Sequence, residues 1–444
     1  MAVRVAVVGA GPAGFYTCED LLSREGFEVD LYDALPTPFG LVRAGVAPDH
    51  PKIKSVTRRF EKTARHPAFR FFGGVSLGAG IEREELLRRY HAVVYAVGSR
   101  DDNRLGIPGE DRPGSHAATE FVAWYNGHPE HADRSFDLSA RRAVVVGNGN
   151  VALDVARMLM LAPEELALTD CADHAVAALA AARVQEVIVL GRRGPAQAAF
   201  TSPELLELGE LRNCEVVVRP EEVALGAEPD VRPLARRNVE ILAGYAAREP
   251  NGGARRIELR FLRSPVELVG DGAAGPVRGL RVVRNRIDAG GRAVPTGVEE
   301  TIECGLVLRA VGYRGRPLPG VPFDGGRIRN AGGRVTRPEG TPLPGEYAAG
   351  WIKRGPSGVI GTNKKDAADT IARVLEDAGA GRLNDPIEPA RDAVEPWLRS
   401  RVPRLVTWAG WTAIDAHEIS AGEPQGRPRV KLVRVPAMLE VARA

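Results

Sequence analysis

Cysteine is scarce in this chain, and so is lysine: there are four cysteines, and only seven of the 60 cationic residues are lysine. Cys18, Cys171, Cys214 and Cys304 stand far apart. That spacing excludes a CxxC redox pair and argues against iron–sulfur or structural zinc ligation by neighbouring cysteines, so no metal is expected. Electrons handled here must sit on an organic cofactor. The lysine shortage is a compositional bias without a mechanistic reading. No apolar run approaches the roughly 20 residues that a bilayer span requires. The amino terminus enters a strand pattern within three residues, with no signal or transit pattern ahead of it. The expectation is a cytoplasmic protein with no membrane partner. A net charge of +3 is a slight excess, not a basic face, and it argues against nucleic acid.

What the chain does have is glycine in two matched places. Its 444 residues exceed the size at which one core keeps growing, so two or more domains are expected. Residues 3–8 are apolar apart from Arg4 and run into Gly9-Ala10-Gly11-Pro12-Ala13-Gly14. A helix pattern over residues 12–22 follows, then a second strand pattern over 28–32 with Asp33 at its end. Strand, tight turn, helix and an acid about 20 residues on form the dinucleotide fingerprint. Gly9 permits the sharp turn, Gly11 lets backbone approach a pyrophosphate, and Gly14 allows close helix–strand packing. The helix amino terminus adds N–H donors and positive potential.

The pattern recurs after residue 142. A strand over 143–146 meets Gly147-Asn148-Gly149-Asn150-Val151-Ala152, a helix over 150–161 follows, and the next strand, 186–190, ends in Gly191-Arg192-Arg193-Gly194. Residues 162–183 form an inserted helical excursion. The two units differ at the ribose. A carboxylate there accepts hydrogen bonds from a free 2′-hydroxyl but repels a 2′-phosphate, whereas paired guanidiniums do the reverse. Asp33 thus selects an adenosine with a free ribose, and Arg192 with Arg193 selects NADP.

Strand patterns over 92–97 and 306–311 also end in glycine, and proline-containing linkers follow at 104–114 and 314–320. They point to an α/β fold with two Rossmann-like dinucleotide-binding domains, the first discontinuous: residues 1–103 and 316–444 for FAD, residues 104–315 for NADP. Residues 213–303 alternate short apolar runs with charge, as antiparallel strands do, and 257–261 is the most strand-like piece.

Several longer blocks carry a resemblance: Leu35-Pro36-Thr37-Pro38-Phe39-Gly40-Leu41-Val42-Arg43, Gly45-Val46-Ala47-Pro48-Asp49-His50-Pro51, residues 147–154, Gly191-Arg192-Arg193-Gly194-Pro195 and Gly350-Trp351-Ile352-Lys353-Arg354-Gly355-Pro356. Together they resemble the adrenodoxin-reductase-like ferredoxin–NADP reductases. The resemblance implies bound FAD, NADPH as hydride donor, and single electrons passed to ferredoxin, a small acidic iron–sulfur protein. It places FAD contacts on Gly9, Gly11, Pro12, Ala13, Gly14, Asp33, Leu41, Leu77, Trp351, Gly358, Val359 and Ile360. It places NADP contacts on Asn148, Gly149, Asn150, Val151, Arg192, Arg193, Glu204 and Gly358. A family arginine contact just after Gly98 is displaced here, with Asn103 in its place and Arg104 adjacent. The Gly-Val-Ile run at a helix start can aim N–H groups at a flavin carbonyl edge, and Trp351 suits stacking beside the ring.

His50 and Asp154 are the proton-handling candidates, although His50 at a helix start equally suits a capping or packing role. Hydride transfer to a flavin needs no general acid. Residues 51–66 place Ile53, Val56, Phe60 and Ala64 at helical spacing and leave Lys52, Lys54, Arg58, Arg59, Lys62 and Arg65 on other faces, with Glu61 as lone acid. That basic surface, with Lys52, Arg58, Arg59 and Lys62 foremost and Lys353, Arg354, Lys364 and Lys365 extending it, is read as a dock for an acidic electron carrier, against the plainer reading of a solvated face. Two other readings stay open: an NADPH oxidoreductase with another protein or a quinone as acceptor, and a non-catalytic NADP-sensing or interaction protein.

Overall fold

Val3–Val8 forms a strand buried on both faces at the middle of a parallel sheet, which is why it reads as valine and alanine, broken only by the buried Arg4, instead of alternating. The computed structural model describes residues 2–224, 233–249, 252, 254–388 and 390–443. The chain divides into two units, Met1–Asp101 with Tyr313–Ala444, and Asp102–Gly312.

In the first unit Val3–Val8 lies between Phe27–Asp33 and Ala92–Tyr95, all parallel. Phe69–Gly73 continues the sheet on one side, and Pro342–Ala348 continues it on the other. Antiparallel strands close both edges: Val406–Thr407 beside Phe69–Gly73 on one, and Arg334–Thr336 beside Pro342–Ala348, with Asn330–Ala331 outermost, on the other. One sheet face packs Val5 and Val7 against Phe15, Phe39 and Phe60. The other gathers Val8, Tyr32, Tyr90 and Tyr95. The tyrosines there are satisfied: Tyr90 donates to Asp30 at 2.5 Å, and Arg70 forks onto the same carboxylate at 2.7 Å.

The second unit repeats the plan. Arg142–Val146 runs parallel between Leu306–Arg309 and Glu186–Leu190, and the sheet extends through Arg255–Arg260 to Cys214–Val218. In both sheets the glycine-loop strand sits where strand order reverses, the switch point at which such sheets bind ligands. The insertion holds the helices Pro163–Leu166 and Asp173–Ala180.

Residues 213–303 depart from the expectation of antiparallel strands. Among the described residues of this stretch only Arg263–Gly270, Val277–Ile287 and Ala293–Glu303 are antiparallel, a three-stranded sheet packed on the parallel one through Leu268, Val277 and Leu280. Arg255–Arg260 instead joins the parallel sheet with Glu258 and Arg260 buried. The alternation of charge marks no solvated face there, because Glu258 meets Arg219 at 3.0 Å and Arg260 meets Glu300 at 2.7 Å. A second departure concerns residues 51–66. They form two helices, Pro51–Lys54 and Thr57–Ala64, and Ile53 is 40% exposed instead of joining the apolar stripe.

Candidate dinucleotide sites

The two loops share a division of labour. Gly9 has φ +110°, and a Cβ there would fall 2.5 Å from the carbonyl oxygen of Ala96; Gly147 has φ +146°, and its Cβ would fall 2.2 Å from that of Ala310. Both first glycines are demanded by backbone crossing at the next strand's end. The second glycines differ in kind. Gly11 has only the Gly40 Cα at 4.0 Å, and Gly149 only the Ala199 Cβ at 4.0 Å. No protein atom forces glycine at those positions, so the space beside them suits a ligand's pyrophosphate. Gly11 and Gly149 are also the N-caps of the helices Pro12–Leu22 and Asn150–Met160, and neither helix start has a side-chain cap. Open N–H groups aimed at bare space are an anion site. The third position serves packing: a Cβ on Gly14 would overlap Gly9 oxygen at 1.9 Å, whereas the second loop accommodates a fully buried Ala152. Pro12 occupies the first helical turn, and Ala13 is buried with it.

Asp33 ends its strand 9% exposed and serves the loop first. Its Oδ2 accepts Ala10 N–H at 2.8 Å and its Oδ1 accepts Leu35 N–H at 2.9 Å. Burial raises its pKa, opposed by Arg100 and by the N–H groups of Leu35, Ala10 and Ala34. The remaining lone pairs are what a ribose hydroxyl would meet. Arg100 is the cation that acts on Asp33. Asn103 binds back to the second unit, its N–H on the Gly312 carbonyl at 3.0 Å, and Arg104 is held by Asp111 at 2.6 Å.

Opposite chemistry stands at the second loop. Arg192 and Arg193 are exposed and form no ion pair among the described residues. Their backbone is fixed: the Arg192 carbonyl accepts from the Asn285 amide at 2.8 Å, and the Arg193 carbonyl from Leu262 N–H at 3.1 Å. Two exposed guanidiniums on an anchored loop are suited to a phosphate. Asn148 packs its side chain on Gly191, where a Cβ would fall 2.5 Å from its Nδ2. Asn150 accepts Thr201 N–H at 2.8 Å, which ties the loop to the Ser202–Glu207 helix, and Val151 is half-buried behind it.

The remaining candidates fall less simply. Leu41 opens the short helix Leu41–Ala44, half-buried, and Leu77 packs against the tyrosine-rich core face. Trp351 stacks on Tyr313, centroids 5.9 Å apart and planes at 20°, with its Nε1 donating to the Ser357 carbonyl at 3.2 Å. Gly358 and Val359 are exposed, and Ile360 is half-buried just before the helix Thr362–Gly379. The Val359 N–H donates to Thr362 Oγ1 at 3.1 Å, so the helix start engages one of the donors expected for a flavin edge.

Asp154 and His50 lie in different units. Asp154 pairs with Arg157 at 2.9 Å, and the same guanidinium, 3% exposed, reaches Glu207 at 3.1 Å and Glu204 at 3.6 Å. A carboxylate held in such a cluster anchors a helix. His50 is buried at the N-cap of Pro51–Lys54 and makes no side-chain cap. Of the basic surface, Arg59 is taken by Glu19 through a two-pronged contact at 2.8 Å and lies over the Tyr16 ring. Lys353 and Arg354 are likewise engaged, by Asp366 at 3.2 Å and by Asn363 at 2.9 Å. Lys52, Arg58 and Lys62 stay exposed.

Paired switch-point loops on two parallel sheets, one serving an acid and one a pair of arginines, define an oxidoreductase that handles two different dinucleotides. Residues 3–189 match the pyridine nucleotide-disulphide oxidoreductase family. The chain is 49% identical over 456 residues to NADPH-ferredoxin reductase FprA of Mycobacterium tuberculosis, covering 98% of each chain. It is 42% identical over 460 residues to the mitochondrial NADPH:adrenodoxin oxidoreductase of Salvelinus fontinalis, covering 99% of this chain and 91% of that one. The solved structure of Mycobacterium tuberculosis FprA in complex with NADPH matches with a TM-score of 0.95 at 48% identity over 100% of both chains. The chain belongs to the NADPH-ferredoxin reductase family. The disulphide of the broader family's name has no counterpart here, since all four cysteines are free and buried. No helix among the described residues is long and apolar enough to cross a membrane.

Proposed function

We propose that this chain takes hydride from NADPH onto FAD and hands the electrons singly to a ferredoxin-type iron–sulfur protein in the cytoplasm. The observation that carries this reading is the contrast between Asp33 and Arg192 with Arg193 behind otherwise matching loops. FAD, when bound, supplies the exchange between a two-electron donor and a one-electron acceptor. In this reading the first loop binds the FAD pyrophosphate through the N–H groups after Gly11, and Asp33 accepts from the ribose. The second loop binds the NADPH pyrophosphate after Gly149, with Arg192 and Arg193 on the 2′-phosphate. Trp351, braced by Tyr313, walls the isoalloxazine side of the first unit instead of lying free to stack. Asp154, Glu204 and Glu207 hold Arg157 and with it the helix that carries the second loop. His50 and Asp154 have positioning roles, consistent with a hydride step that needs no protein acid.

The partner is acidic, and Lys52, Arg58 and Lys62 form its dock; such a face speeds encounter at low salt more than it tightens binding. Arg59 is left out of the dock because Glu19 occupies it. The double variant Arg58→Glu, Lys62→Glu is expected to slow ferredoxin reduction about tenfold at low ionic strength, and less at high salt, with dye reduction by NADPH unchanged. Equal loss of both activities would assign those residues to folding.

A further inference from the structure

The glycine motif supplies one wall of the first cradle, and a second wall comes from the segment after Phe39. Phe39 N–H binds the Ala10 carbonyl at 2.8 Å, and Gly40 faces Gly11 so closely that a Cβ would fall 2.9 Å from the Gly11 Cα. Gly40 has φ +48°, and the short helix Leu41–Ala44 starts from it. A four-residue helix holds little structure by itself. What holds it is Arg43, which points the other way, into the carboxyl-terminal region.

Arg43 is gripped at several points by residues more than 350 positions away. Its two terminal nitrogens fork onto Glu418, Nη1 to Oε2 at 2.8 Å and Nη2 to Oε1 at 2.5 Å. Its guanidinium carbon lies 5.4 Å from the Trp411 ring centroid. Its carbonyl accepts from Lys431 Nζ at 3.2 Å. The Glu418 side chain is 0% exposed and also accepts Leu432 N–H at 2.8 Å and Arg429 Nη1 at 3.3 Å. Burial works to raise its pKa, yet Arg43 and Arg429 hold it below the usual carboxylate range, so the carboxylate stays charged. A fully enclosed carboxylate whose partners are Arg43 of the short helix and Arg429 and Leu432 of the segment after its own helix is a built clamp, and an isolated half of such a pair is strongly unfavourable.

We propose that Arg43 and Glu418 form a latch through which the helix Trp408–Gly422 holds the Gly40–Leu41 wall against the first glycine loop, and that this latch sets how fast FAD leaves the protein. The proposal rests on the reading that FAD occupies the first loop. Glu418 is a positioning residue: it touches Arg43, not the cofactor.

The test is flavin release from the holoprotein, followed as the rise of free-flavin fluorescence after dilution, together with FAD rebinding to the apoprotein and a urea unfolding midpoint. Glu418→Gln keeps the shape and removes the charge; Arg43→Lys keeps the charge and removes the fork. Both are expected to release flavin at least about tenfold faster and to rebind it correspondingly more weakly, with Arg43→Lys the milder of the two. Arg70→Lys, which breaks the comparably enclosed Arg70–Asp30 fork in the same unit, is expected to lower the unfolding midpoint without quickening release. Unchanged release in Glu418→Gln and Arg43→Lys, while Gly11→Val loses its flavin, would overturn the latch alone. Flavin retained in Gly11→Val would overturn the placement of FAD beneath it and the latch with it.

Discussion

Replacing Arg192 and Arg193 together by alanine is expected to raise the KM for NADPH by about 10²-fold while leaving the KM for NADH nearly unchanged. The estimate comes from chemistry at the end of the strand Glu186–Leu190. A charge-assisted hydrogen bond contributes about 1.5–3 kcal/mol, and two guanidiniums forking onto one phosphate lose at least about 3 kcal/mol on removal. Each 1.4 kcal/mol is about a factor of ten. Neither arginine is committed to a protein carboxylate, so their loss leaves no buried charge behind and the fold should be indifferent. Their backbone stays anchored by Asn285 and Leu262, which keeps the loop in place in the variant. Because the 2′-phosphate is remote from the hydride, the interaction is as strong in the ground state as in the transition state, and kcat should change little. The effect should also shrink as salt rises, since both groups are exposed. Steady-state kinetics with the two cofactors decide it, and equal losses for NADPH and NADH would refute the clamp.

The second large effect separates ligand from fold within one loop. Gly11→Val is expected to give a folded, colourless protein, whereas Gly14→Val is expected not to fold. A Cβ on Gly11 meets only the Gly40 Cα at 4.0 Å, so the protein itself has room for the first added carbon, and a valine there projects into the space assigned to a pyrophosphate and covers N–H groups at the helix start. At Gly14 the first added carbon would lie 1.9 Å from a backbone oxygen that cannot withdraw, because Gly9 is itself fixed by its N–H bond to the Tyr32 carbonyl at 2.7 Å. Absorbance of the purified variants near the flavin bands, with circular dichroism for folding, checks both. A yellow Gly11→Val protein would place the cofactor elsewhere.

Both glycine loops were legible from residue order because a strand, a turn and a helix are local, although only the demand on Gly14 arises within the loop itself; the demand on Gly9 comes from Ala96, far along the chain. The parallel sheets followed from runs such as Val3–Val8 and Glu186–Leu190, which are apolar apart from Arg4 and Glu186 and do not alternate, as burial on both faces requires. What sequence did not show depends on partners far along the chain. Residue order offers Arg59 as part of a docking face and Trp351 as open to a flavin, and it carries no sign that Glu19 pairs with the one or that Tyr313 stacks on the other. Glu258 and Arg260 gave a period-two pattern that signals a half-exposed strand, but buried ion pairs satisfied the charges and the strand went into the parallel sheet. Arg43 and Glu418 carried no signal in isolation; only the approach of the helix Trp408–Gly422 makes them a pair. The break of residues 51–66 at Ser55 and Val56 was equally unmarked, since no proline or glycine stands there.

The central claim is that one chain carries electrons from NADPH through FAD to a ferredoxin. Anaerobic stopped-flow mixing tests it most directly: the purified protein is mixed with NADPH while its flavin absorbance is followed, and then with a ferredoxin from the same genome. The account predicts a yellow protein whose absorbance bleaches with NADPH, far more slowly with NADH, and then recovers as about two ferredoxins are reduced per NADPH. A colourless protein, or a flavin that NADPH does not bleach, would contradict it; so would a reduced flavin that passes its electrons to a quinone and to no ferredoxin.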